Sequence, residues 1–160
     1  MKLLRELRFP TIKASEMLSK KAKYAINALV FIAKHKKEEP ISVSRISEAQ
    51  NIPLKFLESI LSELRNARIV KSKKGKFGGY SLSTTPDQIN MEIVMRLFDG
   101  AIALLPCVSL NFYDRCEECV DEATCGIRQV AMEIRNDTIK KLNAATLADI
   151  IKRERKLEAK

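Results

Sequence analysis

Between Pro53 and Ser83 the spacing of apolar residues changes from three or four positions to two, with no linker in between. Leu54, Leu57, Leu61 and Leu64 fall on one face of a helix, while Lys55, Glu58, Ser59 and Ser62 fall on the other. After Asn66, two short β-type runs, IVKS and YSLS, bracket the loop KKGKFGG. Such a helix needs other helices on which to bury its leucines, and the preceding sequence supplies two. From Ser19 to His35 a stripe of Ala22, Ile26, Leu29 and Ala33 follows a serine cap and ends before Pro40. Ser42 then caps a short helix carrying Val43, Ile46 and Ala49. QNI makes a tight turn, and Pro53 stands near the first turn of the leucine-faced helix, where its missing N–H costs little.

Downstream, Pro86–Asp87 is a second turn signal and Met91 to Asp99 reads as another helix. An acidic, cysteine-bearing stretch follows. A long helix with Ile127, Ala131, Ile134, Thr138 and Leu142 in register comes next, and Thr146 can cap a last helix containing Leu147, Ile150 and Ile151. The expected organisation is an N-terminal extension (1–17), a helical domain with a β hairpin (18–99), a cysteine-rich loop (100–126) and a C-terminal helical part (127–160). The extension is basic and broken by Pro10, and no function is assigned to it.

The formal net charge is +9, and its distribution is uneven. Residues 1–90 carry 18 Lys and Arg against 8 Asp and Glu, whereas residues 91–130 carry 3 against 7. A basic block of this kind attracts a polyanion, with nucleic acid ahead of an anionic membrane surface. No apolar run approaches the ~18 residues of a membrane span, and none resembles a secretory signal. A cytoplasmic protein without a membrane partner is expected. A single histidine, with neither a Gly-rich phosphate loop nor a nucleophile motif, leaves nothing to assemble acid–base or nucleophilic catalysis. An enzyme with a small-molecule substrate is therefore not expected.

Three helices and a basic hairpin in this order make a winged helix-turn-helix. The exposed N-terminal side chains of a helix in the major groove can reach base edges, and here those are Lys55, Glu58 and Ser59. A glutamate is unfavourable beside phosphate but can accept from cytosine N4. Lys73, Lys74 and Lys76 of the loop would meet phosphates, and Gly75, Gly78 and Gly79 would let its backbone turn and approach closely. Taken singly, the polar stripe could be a solvated face and the loop an ordinary hairpin. Their order and spacing together favour double-stranded DNA as partner over a protein-interaction module.

LSKKAKYAINAL, NIPLKFLESILSELRNARIVKSKKGKFGGYSL and TPDQINMEIVMRLFDG resemble the Rrf-two family of bacterial winged-helix regulators, which includes the IscR and NsrR types. The resemblance runs from Leu18 to about Asp149, and its LExILxxLR and GxxGGY motifs are specific. It implies a mainly α fold with a two-stranded β wing and a long C-terminal dimerisation helix at 127–142. It also implies a homodimer on a partly palindromic operator, acting as a repressor or an activator. By the same resemblance Ser72, Lys74 and Gly75 would lie at the wing base and Tyr80 would close it. Ser19 and Tyr24 would anchor the first helix near the DNA backbone. Two positions depart from the family pattern. Lys74 stands where many relatives have arginine, which weakens bidentate reading toward simple charge contact. Arg68 replaces a glycine, so a helix-terminal positive φ there would cost about 1 kcal/mol unless the turn differs. The residues alone would equally allow the 127–142 helix to pack onto its own domain.

All four cysteines fall in CVSLNFYDRCEECVDEATC, spaced C-x8-C-x2-C-x5-C. In a reducing compartment such clustering points to metal or redox chemistry rather than structural disulfides. Cluster-binding relatives use three cysteines in this linker with a final C-x5-C interval, which Cys119 and Cys125 match. In the IscR type a histidine three residues past the last cysteine completes the site. That position is Arg128 here, and His35, the one histidine, is expected as an exposed end residue of the first helix. Cys107, Cys116, Cys119 and Cys125 together give the four thiolates of a 2Fe–2S or 4Fe–4S centre. Zinc, a thiol–disulfide switch, an electron carrier and chance clustering stay open. The neighbouring Asp114, Glu117, Glu118, Asp121 and Glu122 should raise thiol pKa values and oppose an anionic cluster.

Overall fold

The computed structural model describes residues 18–38, 40–75 and 77–159, so the 1–17 extension and Lys76 of the wing lie outside it. Helix α1 (Lys20–Lys34) begins at the Ser19 cap, whose hydroxyl accepts from the Ala22 N–H at 3.1 Å. It buries Ala22, Ala25, Ile26, Ala28, Leu29, Val30, Phe31 and Ile32, more than a single face, because other elements pack around it. His35 is not the exposed end residue expected. It is half-buried at the helix C-cap, with Nδ1 2.8 Å from the Phe31 carbonyl and its ring on Phe31 at 4.2 Å.

Helix α2 (Val43–Gln50) starts at the Ser42 cap and ends at Asn51, whose φ of 49° is left-handed and tolerable for asparagine. That reversal delivers the chain to Pro53 and helix α3 (Leu54–Asn66), which buries Leu57, Ile60, Leu61 and Leu64 completely. Leu54 departs from the expected stripe and is 43% exposed. It opens the helix, and side chains there lean back past the N-terminal end, away from the packed face. Ile60 takes the inner place.

The end of α3 decides the question raised by Arg68. The Ile69 N–H reaches the Leu64 carbonyl and the Arg68 N–H reaches the Arg65 carbonyl, both at 2.9 Å. These bonds form a Schellman motif with Arg68 at its left-handed position, φ 59°, and Ile69 buried. The strain is retained and offset by two satisfied carbonyls. Strands β1 (Val70–Lys73) and β2 (Gly79–Leu82) pair antiparallel, with Val70 opposite Leu82 and Lys73 opposite Gly79. Each is displaced by one residue from its sequence expectation. Tyr80 also exchanges backbone bonds with Ile41, at 2.8 and 2.9 Å, and this pins the wing to the α1–α2 connection.

Helix α4 (Met91–Asp99) is capped by Asn90, and Asp99 at its end accepts from the Ser19 N–H at 3.3 Å. Helix α5 (Gly126–Ala144) buries only Ala131 and Arg135, leaving Ile127, Val130 and Ile134 on its outer side. Thr146 and Asp149 form a capping box that starts helix α6 (Leu147–Glu158). Leu147 and Ile151 join the core around α1, and Lys34 pairs with Glu154 at 2.7 Å. Backbone bonds of 2.9 Å from Met91 to Ala145 and from Leu147 to Ile89 stitch the starts of α4 and α6 together. No described helix is long and apolar enough to cross a membrane.

Arg68→Gly should relieve the left-handed strain. Part of the gain is offset by the greater freedom of an unfolded glycine, leaving a net stabilisation of roughly 0.5–1 kcal/mol. A higher urea midpoint at unchanged slope is expected, and a lower one would contradict the strain assignment. Arg135 donates through Nη1 to the Val108 carbonyl and through Nη2 and Nε to Asn136 Oδ1, at 2.7 and 3.1 Å. Arg135→Leu strips the partner from a buried carbonyl and should cost about 1–3 kcal/mol, read in the same titration.

Candidate DNA-binding surface and cysteine loop

The polar face of α3 is held outward by the burial of the opposite one. Lys55, Glu58 and Ser59 are all exposed on it, as the helical period predicts. Ser59 donates to Glu63 Oε1 at 3.2 Å, and the same carboxylate pairs with Lys21 of α1 at 2.8 Å. Tyr24 of α1 packs edge-on against Phe56 at 5.8 Å, so the start of α3 is braced from α1. Sequence reasoning did not foresee that brace. Its signal was the half-exposed aromatic Phe56 between the polar positions.

The wing follows α3 and packs on it through β1. Ser72, Lys73, Lys74 and Gly75 are exposed, and Gly78, Gly79 and Tyr80 are half-buried. Gly75 has φ 113°, a conformation closed to other residues without strain, and its carbonyl accepts from the Gly78 N–H at 2.8 Å. A Cβ on Gly79 would run into the backbone of Ile41. That glycine therefore serves the close approach of the wing to its own domain rather than to DNA alone. Ser19 occupies the N-cap of α1, and its main chain is held by Asp99.

The cysteines form a graded series along the 100–126 loop. Cys107 is buried in a turn packed on Ala131 of α5, and Arg135 holds the next carbonyl of that turn. Arg135 went unnoticed in the sequence, although it follows Ala131 by four positions on the same face. Cys116, Cys119 and Cys125 are half-buried, and Cys125 is the N-cap residue of α5. Cys116 Sγ donates to Glu118 Oε2 at 3.2 Å, and this carboxylate pushes the thiol pKa upward, with a smaller contribution from Cys107. The Cys119 pKa is also raised, first by desolvation, then by a hydrogen bond with Cys125 and by the nearby Cys116 and Glu122. Of the five acidic neighbours, Glu118 and Glu122 act in the expected direction. At Cys116 and Cys119 they and the neighbouring thiols hold the protonated form.

The loop brings each thiol near another, Cys107 to Cys116, Cys116 to Cys119 and Cys119 to Cys125. Among the described residues no three donor side chains already gather as a metal site. The donor set nevertheless fits a four-thiolate centre in chemistry: sulfur ligands on one loop, one end fixed by the buried turn and the other by α5. Arg128 pairs loosely with Glu122 at 3.9 Å, and its Nε is buried without a hydrogen-bond partner at the edge of this loop.

Residues 18–153 match the family described as Rrf2, iron-dependent transcriptional regulator. The chain is 37% identical over 138 residues to an Rrf2-like HTH-type transcriptional regulator of Rhodobacter capsulatus, covering 84% of this chain and 92% of the relative. In structure it is similar to CymR, the global cysteine regulator of Bacillus subtilis, with a TM-score of 0.69 and 30% identity over 84% of this chain and 95% of the other. It is also similar to an IscR of T. potens, with a TM-score of 0.66 and 26% identity over 85% and 86% of the two chains. Winged fold, exposed basic wing and family match agree: the chain is a DNA-binding transcriptional regulator rather than an enzyme, and it belongs to the Rrf2 family.

Proposed function

We propose that the protein binds a partly palindromic operator as a homodimer and that the cysteine loop sets its affinity by holding an iron–sulfur cluster. One observation carries this reading. The loop is attached to the long helix at two points, since Cys107 packs on Ala131 and Cys125 occupies the N-cap position of the same helix, while among the described residues the outer apolar stripe of α5 stays uncovered. Ile127, Val130 and Ile134, at 74%, 56% and 44% exposure, are too apolar a row to leave in water, and a second copy crossing there would cover both stripes at once. Each subunit would then offer one α3 to half-sites about 10 bp, or a multiple of that, apart.

Lys55, Glu58 and Ser59 would face bases, with Glu58 accepting from cytosine N4. Ser19, Ser72, Lys73, Lys74, Gly75, Lys76, Gly78, Gly79 and Tyr80 would serve the backbone contact and its shape. In this division residues 18–99 read DNA with α6 packed into their core, 100–126 sense and α5 assembles, and a reducing cytoplasm keeps the thiols available. Cys107, Cys116, Cys119 and Cys125 would hold the cluster, which when bound supplies electron exchange and sensitivity to oxidant, nitric oxide and iron supply. The raised thiol pKa values mean that loading releases protons and is favoured by higher pH. Tying the loop at both ends fixes the base of α5 and with it the spacing of the two α3 helices.

One observation favours a second reading. The Cys125 thiol lies near enough to Cys119 to help raise its pKa, while among the described residues no three donors gather, and two neighbouring thiols are what a dithiol–disulfide pair requires. An absorption spectrum with iron, sulfide and zinc assays on anaerobically purified protein separates the two. Visible absorbance with iron and sulfide in proportion, lost when all four cysteines are changed to serine, is the expected result. Zinc without colour would make the loop structural, and metal-free protein with a reversible Cys119–Cys125 disulfide would establish the thiol switch instead. For the assembly, Ile134→Glu should convert a dimer to a monomer by light scattering and weaken operator binding at least tenfold. A dimer that survives both Ile134→Glu and Val130→Glu would remove α5 from the interface.

A further inference from the structure

Phe77 is 81% exposed at the tip of the wing, on a hairpin whose Ser72, Lys73, Lys74 and Gly75 are also exposed. We propose that its ring is a wedge that enters the DNA minor groove, loosens the stacking of one base step and bends the operator there. The inference rests on the reading of the wing as a DNA contact and goes beyond it by assigning a shape-reading residue.

Several features of the hairpin converge on this role. The tip is presented by a fixed support: the Gly78 N–H bonds the Gly75 carbonyl at 2.8 Å, and Tyr80 bonds Ile41 in both directions behind it. Wedging needs such a support, because a loose tip would lose the gain of insertion to its own ordering. Lys73 and Lys74 stand on the arm leading to the tip and can neutralise phosphates along the groove wall, which brings the apolar ring close to the bases. With α3 in the major groove, a hairpin packed directly on that helix would reach the adjoining phosphate ridge and the minor groove beside it. Lysine at position 74 supplies charge but no planar group to fill that groove. The phenylalanine three residues later supplies the planar, apolar body that bending proteins insert between bases. Pyrimidine–purine steps unstack at least cost, so the wing position of the operator should prefer TA or CA/TG without any hydrogen bond to it.

The test uses the operator that wild-type protein selects from a random-sequence duplex library. It is labelled at its ends for energy transfer and carries 2-aminopurine at each wing-facing position in turn. Wild-type protein should raise 2-aminopurine fluorescence severalfold at one step and shorten the end-to-end distance. Phe77→Ala should lose both signals, weaken binding about tenfold and relax the base preference at that step, with an unchanged dependence on salt. Phe77→Leu, which keeps apolar bulk, should retain part of each signal. Lys74→Ala should instead lower the salt slope by about one and leave the preference intact. If Lys74→Ala weakens binding while Phe77→Ala bends and unstacks like wild type, the wedge is wrong and the wing contact stands. If neither variant alters DNA binding, the wing contact itself is wrong and the wedge falls with it. Unchanged thermal melting of the variants, expected for so exposed a residue, excludes misfolding as the cause.

Discussion

Helix α1 is the element on which the other parts are set. It is buried on most of its circumference, and α2, α3, α4, α6 and the wing strand β2 all pack on it. Leu57, Ile60, Leu61 and Leu64 of α3 are fully buried in the core that it centres, each contributing roughly 1.5–3 kcal/mol by removal from water. That one-sided burial fixes which face of α3 points outward, so the presentation of Lys55, Glu58 and Ser59 follows from packing rather than from any contact of their own. The wing inherits its orientation similarly, through the Schellman turn at Arg68 on one side and the Ile41–Tyr80 bonds on the other. A rigid reading surface results, with little freedom between its helix and its hairpin.

The cysteine loop is built differently. Only its first part, Cys107 to Ser109, is buried, and the remainder rests on short polar bonds such as Tyr113 to Glu122 at 2.8 Å and Thr124 to Asp121 at 2.8 Å. Few apolar contacts and many exposed hydrogen bonds mark a segment that can open locally at small cost. Such a segment suits a sensor, since a ligand shifts an equilibrium only if two states lie within a few kilocalories of each other. Arg135 and the Cys125 cap join that yielding segment to the stiff helix α5. Asp99, at the end of α4, holds Ser19, the N-cap residue of α1. These are contiguous contacts between loop and reading surface, which a switch requires.

Much of the reading domain could be inferred from residue spacing, because its elements obey local rules. Ser19, Ser42 and Thr146 cap where serine and threonine should, and the leucine period of α3 needed correction only at Leu54. The β runs were each placed one residue off, since Ile69 belongs to the helix-terminating turn and Gly79 to the strand that meets Ile41. What spacing could not reveal were pairings between distant residues: Arg135 with Val108, Tyr24 with Phe56, Met91 with Ala145. Nor could it show that the stripe on α5 is exposed among the described residues, since an amphipathic period is the same whether the partner is the chain itself or a second copy. The cysteines were evident as a group, but their arrangement as successive pairs depends on how the loop folds over α5.

Operator affinity in the two states of the loop is the most direct measurement. The dissociation constant should be determined at one salt concentration for anaerobically purified protein, for the same protein stripped by chelator, and for the variant with all four cysteines changed to serine. A loop that sets the spacing of the recognition helices predicts that the stripped protein and the serine variant agree with each other. Both should differ from the loaded protein by at least about tenfold, or roughly 1.4 kcal/mol. Equal affinity and equal sequence preference in all three would contradict the link between cysteine loop and DNA reading.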